Sequence, residues 1–209
     1  KQKGFYAVFI RCINGDIASE QLMNLASICR KFGLEYIRTT VTQNLLIRWV
    51  RSDKLFAFYE VLKTSNLARC CAEHAMDITR CAGADSCVSA ITLSRGLAEE
   101  LAKIFDNGFR DDPEILKLRI KVSGCPHSCS QHLIADLGFQ GAAKTIHNRQ
   151  VPFYQIMAGG ASSRGEAKFA QPLMMIPAKK VPAAVSHLLH QYKNDRLQNE
   201  SLKDWMNRV

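Results

Sequence analysis

The chain has 209 residues, of which 47% are hydrophobic and 22% charged, and these are the values of an ordinary globular protein. They exclude disorder, collagen and coiled coil as the main architecture, and the length allows one large domain or two small ones. Lysine and arginine total 28 against 19 acidic residues, a formal net charge of +9. This charge favours an acidic partner or an anionic substrate without choosing between them.

Membrane and export segments are not evident in the sequence. The longest apolar runs, such as residues 7–10 and 173–176, are far shorter than the roughly 18 residues that a membrane helix needs. The first residues run directly into a strand-like segment without the apolar core of a signal peptide. We therefore predict a cytoplasmic protein with no membrane partner.

The first third of the chain has the pattern of a small α+β sandwich. Phe, Tyr, Val and Ile favour strands, helical spacing of apolar residues precedes Gly33, and Asp53 is a candidate N-cap. Strands are predicted at residues 5–12, 35–40 and 45–50, and helices at residues 17–32 and 53–63. The order βαββα places two helices on one face of an antiparallel sheet.

A weak linker at residues 64–66 separates this unit from a mixed α/β region, so the predicted domains are 1–66 and 67–209. Residues 116–122 alternate apolar with basic side chains, which predicts a half-exposed strand whose Lys117, Arg119 and Lys121 form a solvated face. Other strands are predicted at 134–139, 153–157 and 173–176, and helices at 86–105, 181–192 and 202–206.

Two pairs of cysteines carry the strongest chemical signal. Cys81 and Cys87 have the spacing C-x5-C, Cys125 and Cys129 the spacing C-x3-C, and each pair lies in a loop with Gly or Pro. Thiolates are soft ligands that suit zinc, Cu(I) or an iron–sulfur cluster. Structural zinc sites usually separate paired cysteines by two to four residues, so the five-residue gap favours a larger cubane. Zinc and unligated buried thiols remain alternatives.

The other four cysteines have different settings. Cys12 and Cys29 lie on apolar strand and helix faces and are predicted to be small core residues. Cys70 and Cys71 are adjacent, which is poor ligand geometry. We interpret this pair as structural, with redox sensitivity as the lesser alternative.

At this point the sequence resembles a known family. Residues 121–141, KVSGCPHSCSQHLIADLGFQG, resemble the second cluster motif of siroheme-dependent nitrite and sulfite reductases, whose core is [ST]-G-C-P-x-x-C-x. The C-x5-C pair matches the first motif of that family, and residues 37–47 resemble the second of its two ferredoxin-like half-repeats. The order of these features, with a late turn at Gly159 and Gly160, also matches over nearly the whole chain.

The resemblance implies a fold and a set of cofactors. The expected fold is α+β, a ferredoxin-like half-repeat (βαββα) followed by a mixed α/β domain that binds siroheme and an iron–sulfur cluster. In this family four cysteines hold a [4Fe–4S] cluster, and the last of them also ligates the siroheme iron. Carried over to this sequence, the ligands are Cys81, Cys87, Cys125 and Cys129, with Cys129 as the bridge.

Further cofactor contacts are implied with less support from the motif. His127 stands where the family usually has Asn, and Arg80 precedes Cys81 where a small residue is common. His127 could bind a cluster sulfur or a siroheme carboxylate, and Arg80 could pair with a siroheme carboxylate. Gln43 and Asn44 fall where the half-repeat approaches the cofactor in the family. The alternatives are a loop residue for His127, a solvent-facing Arg80 and turn amides for Gln43 and Asn44.

The family also implies partners and a function. Its members contain two pseudo-symmetric halves, and this chain resembles only the second, so the expected partners are the N-terminal half and an acidic electron donor such as ferredoxin or a flavoprotein. The expected reaction is the six-electron reduction of nitrite or sulfite, by a chain that is not active alone. Residues 134–139 are slightly closer to nitrite-type enzymes. Because the substrate-binding cations belong to the other half, the catalytic residues are unknown.

Two other classes of function fit parts of the sequence. One is a non-enzymatic module in which the four cysteines hold zinc or a cluster for a structural role. The other is a nucleic-acid binder, since a basic ferredoxin-like sandwich could be an RNA-recognition fold. That fold reads bases with aromatic residues, and residues 47–50 do not supply the pattern. No nucleic-acid partner is therefore predicted.

Overall fold

The computed structural model describes residues 2–163 and 165–209. The chain divides into two compact units, Lys1–Ala72 and Glu73–Val209, called here the N-terminal and the C-terminal unit. The sequence placed the boundary a few residues earlier, between residues 66 and 67. Within the described ranges, the helices are all too short or too polar to cross a membrane.

The N-terminal unit has the order βαββα. Its elements are β1 (Phe5–Ile10), α1 (Ser19–Lys31), β2 (Ile37–Thr39), β3 (Leu45–Arg51) and α2 (Leu55–Thr64). β3 lies between β1 and β2 and is antiparallel to both. Leu25 of α1, Ile47 of β3 and Phe58 of α2 are fully buried in one core, so the two helices and the sheet share an apolar interface.

The predicted N-cap of α2 is wrong. A short 3-10 turn, Ser52–Lys54, precedes the helix, so the capping position falls on Lys54, which makes no side-chain cap. The Asp53 carboxylate instead accepts hydrogen bonds from Nε and Nη2 of Arg51, at 2.9 and 2.8 Å. The local ion pair competes for the oxygen that a cap would use.

The C-terminal unit is built on a mixed sheet with the strand order β10-β7-β6-β5-β4. β4, β5 and β6 are parallel neighbours, and β6, β7 and β10 are antiparallel neighbours. The strands are β4 (Thr79–Arg80), β5 (Ile120–Ser123), β6 (Leu137–Ile146), β7 (Arg149–Ala158) and β10 (Gln171–Pro177), while β8 (Ala161–Ser163) pairs with β9 (Glu166–Lys168). The helices are α3 (Ser94–Gly108), α4 (Pro113–Leu116), α5 (Val181–Asp195) and α6 (Leu202–Arg208).

The helix predicted from residue 86 begins later, at Ser94. Residues 86–93 are irregular because their backbone is bonded elsewhere: the N–H groups of Ile91 and Thr92 donate to the carbonyl oxygen of Gly124, at 2.8 and 3.1 Å. A tertiary contact therefore overrides the helical spacing of the apolar residues in this segment.

The half-exposed strand predicted at residues 116–122 is also wrong. Asp112 caps the short helix α4, and the strand that follows is β5, in which every residue is buried, Lys121 included. β5 is covered because α3 and the short turn at residues 132–134 contact it, in addition to its two parallel neighbours in the sheet. Lys117 precedes the strand and pairs with Glu114, so the basic residues do not share one face.

β6 and β7 form a long hairpin. The turn residues His147 and Asn148 both have positive φ, 47° and 58°, which is the conformation of a type I′ turn. β5 pairs with β6 only as far as Gln140, and β10 pairs with β7 only from Phe153 onward. Residues 143–152 therefore form a two-stranded arm with no other strand of the described residues beside it. The sequence prediction stopped short of this arm because its outer residues are exposed and lack an apolar pattern.

Candidate cluster-binding site

The two cysteine loops begin at one edge of the sheet. The first cysteine loop (residues 81–87) follows directly after β4. The second cysteine loop (residues 125–129) follows β5, with Gly124 between the strand and the loop. The backbone N–H of Cys81 donates to the carbonyl oxygen of Val122 at 3.0 Å, which continues the parallel pairing past the end of β4. Because parallel strands end at the same edge, the first cysteines of the two pairs are brought together where α/β sheets usually bind ligands.

A hydrogen bond joins the first cysteine loop to Gly124, the residue just before the second cysteine loop. The N–H of Gly124 donates to Sγ of Cys81 at 3.1 Å. The carbonyl oxygen of the same glycine accepts the N–H groups of Ile91 and Thr92, which lie just beyond the first cysteine loop. Backbone N–H groups that donate to a cysteine sulfur are one means by which a protein tunes an iron–sulfur cluster.

Glycines allow this close approach. A Cβ built on Gly141 of β6 would collide with the carbonyl oxygen of Gly124 and with Oγ1 of Thr92. A Cβ on Gly83, which has φ of +72°, would collide with the hydroxyl of Ser94 and lie 2.8 Å from its backbone nitrogen. A side chain at Gly141 would therefore push β6 away from Gly124 and Thr92, and one at Gly83 would push the first cysteine loop away from Ser94.

The four cysteines differ in exposure. Cys125 is buried and Cys81 is half-buried, whereas Cys87 and Cys129 are exposed. Cys87 lies in a turn: its N–H donates to the carbonyl oxygen of Gly83 at 3.0 Å, and its own carbonyl accepts from a residue further along. All four are free thiols, so the donor set is soft and complete for an iron–sulfur cluster.

The spacing of the first cysteine pair bears on the size of the group that the loops could hold. A tetrahedral zinc site requires sulfurs about 2.3 Å from one centre, and its paired cysteines are usually separated by two to four residues. Five residues separate Cys81 from Cys87. A cubane carries its iron atoms at separate corners and accepts thiolates that are further apart. The spacing therefore favours the larger group.

Arg80 and His127, the two predicted contacts nearest the cysteines, lie in different settings. Arg80 is buried, with 5% of its surface exposed, and its Nη1 donates to the carbonyl oxygen of Cys81 at 3.3 Å. Its side chain therefore does not point to solvent. His127 is exposed between Cys125 and Cys129 in the second cysteine loop.

Gln43 and Asn44 lie in the N-terminal unit, between β2 and β3. Asn44 is buried, its Oδ1 accepts the N–H of Cys12 at 3.0 Å, and its own N–H donates to Oγ1 of Thr40 at 3.0 Å. Gln43 has φ of +66° and lies against Gly15. The contacts of Asn44 are those that the turn-amide interpretation requires.

Ser94 is a site residue that the sequence analysis missed. Its hydroxyl donates to the carbonyl oxygen of Cys81 at 2.8 Å and lies 3.4 Å from Sγ of the same residue. Predicting a helix across this segment concealed it. A signal was available, since Ser is a residue that favours the start of a helix, close after the first cysteine loop.

Tyr154 is a second missed residue, and no sequence pattern points to it. It faces Gly141 across the β6–β7 pair, and its buried hydroxyl lies near that of Thr92 without a well-formed hydrogen bond among the described residues. The pKa of Tyr154 is raised to about 12, mainly by burial and in smaller part by the charges of Cys81 and Asp85, while the Thr92 hydroxyl acts in the opposite direction. The phenol is thus a protonated donor beside the first cysteine loop.

Lys121 is a buried cation beneath the second cysteine loop. Only 6% of it is exposed, and its Nζ donates to Oε1 of Gln131 at 3.4 Å. Burial lowers the pKa of Lys121, the charge of Arg119 lowers it further, and Glu73 partly offsets both. The solvated face that the sequence predicted does not include this residue.

His132 lies in the short turn that follows the second cysteine loop and is fully buried. Its Nε2 is 3.3 Å from Oε1 of Gln140, while Nδ1 has no hydrogen-bond partner among the described residues. Burial lowers the pKa of His132, and the Gln140 contact raises it in part, so the ring is neutral at pH 7.

Comparison with known families supplies the decisive observation. A family model described as the nitrite/sulfite reductase ferredoxin-like half domain matches residues 1–65, and one described as the nitrite and sulphite reductase 4Fe-4S domain matches residues 71–209. The chain belongs to the nitrite and sulphite reductase family. The resemblance carried by the two cysteine loops is confirmed, and membership implies a [4Fe–4S] cluster and siroheme as cofactors.

Curated relatives come from both branches of the nitrite and sulphite reductase family. The chain is 23% identical to an assimilatory ferredoxin-dependent nitrite reductase of Haloferax mediterranei over 97% of its length, and 24% identical to the chloroplastic ferredoxin–nitrite reductase of Zea mays over 90%. It is 23% identical to a sulfite reductase [ferredoxin] of Mycobacterium tuberculosis over 100%. It spans only 35%, 33% and 38% of those proteins, about a third of their length.

Solved structures confirm the predicted fold class. The structure of the Mycobacterium tuberculosis NirA protein superposes with a TM-score of 0.84 and 22% identity, over 100% of this chain and 39% of that one. A crystal structure of dissimilatory sulfite reductase I superposes with a TM-score of 0.71 and 12% identity, over 98% and 67%. The α+β arrangement of a half domain and a mixed α/β domain is thus that of the nitrite and sulphite reductase family.

Proposed function

We propose that this chain is the cofactor-holding portion of a nitrite or sulfite reductase. Cys81, Cys87, Cys125 and Cys129 hold a [4Fe–4S] cluster, and Cys129 is shared with the siroheme iron. The observation that carries the proposal is the hydrogen bond from Gly124 N–H to Cys81 Sγ, because it joins the first cysteine loop to the residue just before Cys125 at one sheet edge. Family membership supports the same ligand set.

When bound, the cluster supplies stored electrons beside the tetrapyrrole that takes the substrate. The residues of this chain bind it and set its surroundings. The Gly124 N–H stabilises the Cys81 thiolate, and the Ser94 hydroxyl holds the carbonyl of the same residue in place. The protonated hydroxyl of Tyr154 is a further hydrogen-bond donor near this thiolate. These groups fix the first cysteine loop before any cofactor arrives.

Positive charge around the site suits anionic cofactors. A cluster held by four thiolates is negatively charged, and the buried Arg80 and Lys121 offset that charge in a region of low dielectric. We assign the exposed His127 to a siroheme carboxylate or a cluster sulfur. The contacts of Asn44 favour the turn-amide role over a cofactor contact.

The substrate, the electron donor and the compartment are proposed from the relatives and from the composition of the chain. Nitrite or sulfite is the proposed substrate, and ferredoxin or another acidic donor the proposed electron source, since relatives of both kinds are named for ferredoxin. The net charge of +9 favours such a donor. Eight free thiols fit a reducing compartment, which supports the cytoplasm.

We further propose that this chain requires an N-terminal half for turnover. Siroheme carries many carboxylates, and a buried carboxylate needs cationic partners. The resemblance assigns many of those cations, and the clamp on the substrate anion, to the other half. The chain alone would leave the substrate without that clamp, so reconstitution should give cofactor binding without competent reduction.

Anaerobic reconstitution with iron and sulfide tests the ligand assignment. We expect about four iron atoms per chain, absorbance typical of a [4Fe–4S] cluster, and loss of both in the Cys125→Ser variant. The Cys70→Ser variant is the matched control, because Cys70 lies outside both cysteine loops, and it should load normally. A chain that binds one zinc ion and no iron would contradict the proposal and support the structural zinc module.

Siroheme addition separates an enzyme portion from a structural cluster module. A reductase portion should show a siroheme spectrum that is perturbed by the cluster, and dye-linked nitrite and sulfite assays should give little turnover until the missing half is supplied. Turnover near that of an intact enzyme from this chain alone would contradict the requirement for a second half. A loaded cluster with no siroheme binding would favour the structural role.

A further inference from the structure

A pair of thiols lies outside both cysteine loops, near the end of the N-terminal unit. Sγ of Cys71 is 3.0 Å from Sγ of Cys70, and the two are in hydrogen-bond contact. Cys70 is exposed and Cys71 is half-buried. The pair follows α2 and precedes β4, on the segment that leads from the N-terminal unit to the C-terminal unit.

The backbone around this pair is unusual. Cys71 has φ of +69° and Glu73 has φ of +64°, both in the left-handed region that residues other than glycine rarely adopt. Nη1 of Arg11 donates to the carbonyl oxygen of Cys70 at 3.3 Å, and the N–H of Glu73 donates to a carboxylate oxygen of Asp77 at 2.9 Å. These bonds hold the turn in which the two thiols face each other.

The chemistry of adjacent cysteines defines what such a pair can do. Consecutive Cα atoms are about 3.8 Å apart, whereas disulfides usually span Cα distances of about 4.4–6.8 Å. A disulfide between neighbours is therefore strained, and strained, exposed disulfides are readily reduced. This pair suits reversible oxidation and is a poor structural staple.

We propose that Cys70 and Cys71 are a redox-active dithiol that a small disulfide, such as oxidised glutathione, converts reversibly into a vicinal disulfide. The thiolate of exposed Cys70 attacks one sulfur of the oxidant and releases one thiolate. Cys71 Sγ then attacks Cys70 Sγ and releases the second. The protein loses two electrons and two protons, and two molecules of reduced thiol are formed.

The short distance between the sulfurs decides the second step. Cys71 is already in contact with Cys70, so its attack is intramolecular and outcompetes a second molecule of thiol. The other cysteines of this unit cannot substitute, because Cys12 and Cys29 are buried and burial raises the pKa of Cys29. The inference does not rest on the proposed function, since neither thiol belongs to a cysteine loop.

Peptide mass mapping tests the proposal without interference from the cluster ligands. Trypsin cleaves after Arg69 and Arg80, so residues 70–80 form a peptide whose only cysteines are Cys70 and Cys71. We treat the full chain anaerobically with oxidised glutathione, then block free thiols and digest. We expect this peptide to lose two hydrogens and retain no glutathione, and dithiothreitol to reverse the change.

Two variants and an internal reference sharpen the result. Cys71→Ser should keep glutathione on Cys70, because the resolving sulfur is missing, and Cys70→Ser should leave the peptide largely unmodified. Residues 12–30 form a reference peptide with Cys12 and Cys29, whose alkylation should be at least about tenfold slower than that of Cys70. An unmodified peptide 70–80, stable glutathione on the wild-type pair, or cross-links to other cysteines would each overturn the proposal.

Discussion

The two members of each cysteine pair are held in different ways. Cys81 and Cys125 follow neighbouring parallel strands and are tied to the sheet edge through Gly124, whereas Cys87 and Cys129 are exposed in turns. The first members are therefore positioned by the folded chain itself. The backbone of Cys87 is held in its turn, but the side chains of Cys87 and Cys129 are exposed, so we expect the cofactor to complete their arrangement. This difference predicts that changes at the sheet edge affect stability, while changes in the turns affect cofactor binding alone.

The largest effect is expected from Gly141→Ala. The new methyl group would collide with the carbonyl oxygen of Gly124 and the hydroxyl of Thr92, so the cofactor-free chain should lose about 3 kcal/mol of unfolding free energy, or more. Urea denaturation measures this loss. The control is Gly96→Ala in α3, where a Cβ meets nothing within 4 Å and should stabilise the chain by up to about 1 kcal/mol. Equal effects of the two changes would refute the role of the sheet edge.

Serine substitutions at the second cysteine loop distinguish the buried ligand Cys125 from the exposed ligand Cys129. Cys125→Ser buries a hydroxyl and should cost the cofactor-free chain about 1–3 kcal/mol. Cys129→Ser, at an exposed turn, should change stability by less than about 0.5 kcal/mol. In reconstituted protein the Cys129 variant should nevertheless lose the coupling between cluster and siroheme signals, measured by absorbance and electron paramagnetic resonance. A normal coupled spectrum would show that Cys129 is not the bridge.

Tyr154→Phe should have a smaller effect on stability. Its hydroxyl is buried without a well-formed hydrogen bond among the described residues, so removing it should leave the cofactor-free chain unchanged or stabilise it by up to about 1 kcal/mol. In the loaded protein, loss of a donor near the Cys81 thiolate should lower the reduction potential of the cluster. Tyr192→Phe is the matched control: that hydroxyl donates to the carbonyl oxygen of Glu200 at 2.6 Å, so the variant should cost about 1 kcal/mol and leave the potential unchanged.

The smallest effect is a pH dependence from His132. Because burial holds its folded-state pKa below the unfolded value of about 6.5, the unfolded chain binds the proton more readily. The neutral ring's contribution to stability is complete above the unfolded pKa and is lost as the pH falls toward the folded pKa. Urea denaturation at several pH values should show this slope, and His132→Gln should flatten it. A wild-type slope of the opposite sign would contradict the assignment.

Much of the architecture could be predicted because the relevant signals are local. The βαββα order follows from apolar periodicity and the stop at Gly33, and the spacing of the cysteines identified the family. The errors have non-local causes. α3 begins at Ser94 because Gly124, about thirty residues away, accepts hydrogen bonds from the preceding backbone, and Lys121 is buried because α3 and the turn at residues 132–134 contact β5. Tyr154 was missed because its place beside the first cysteine loop depends on the register of the β6–β7 hairpin.

That hairpin has a consequence for how the chain moves. Along β6 and β7 the same backbone pairing passes from the interior of a sheet to a two-stranded arm at residues 143–152. A two-stranded ribbon alone is only marginally stable in water, so its amides open to solvent locally, without unfolding of the sheet. One continuous pair of strands should therefore show a gradient of amide hydrogen exchange, slow at Phe139 and Ile156 beside the cysteine loops and fast toward His147, where the arm turns back.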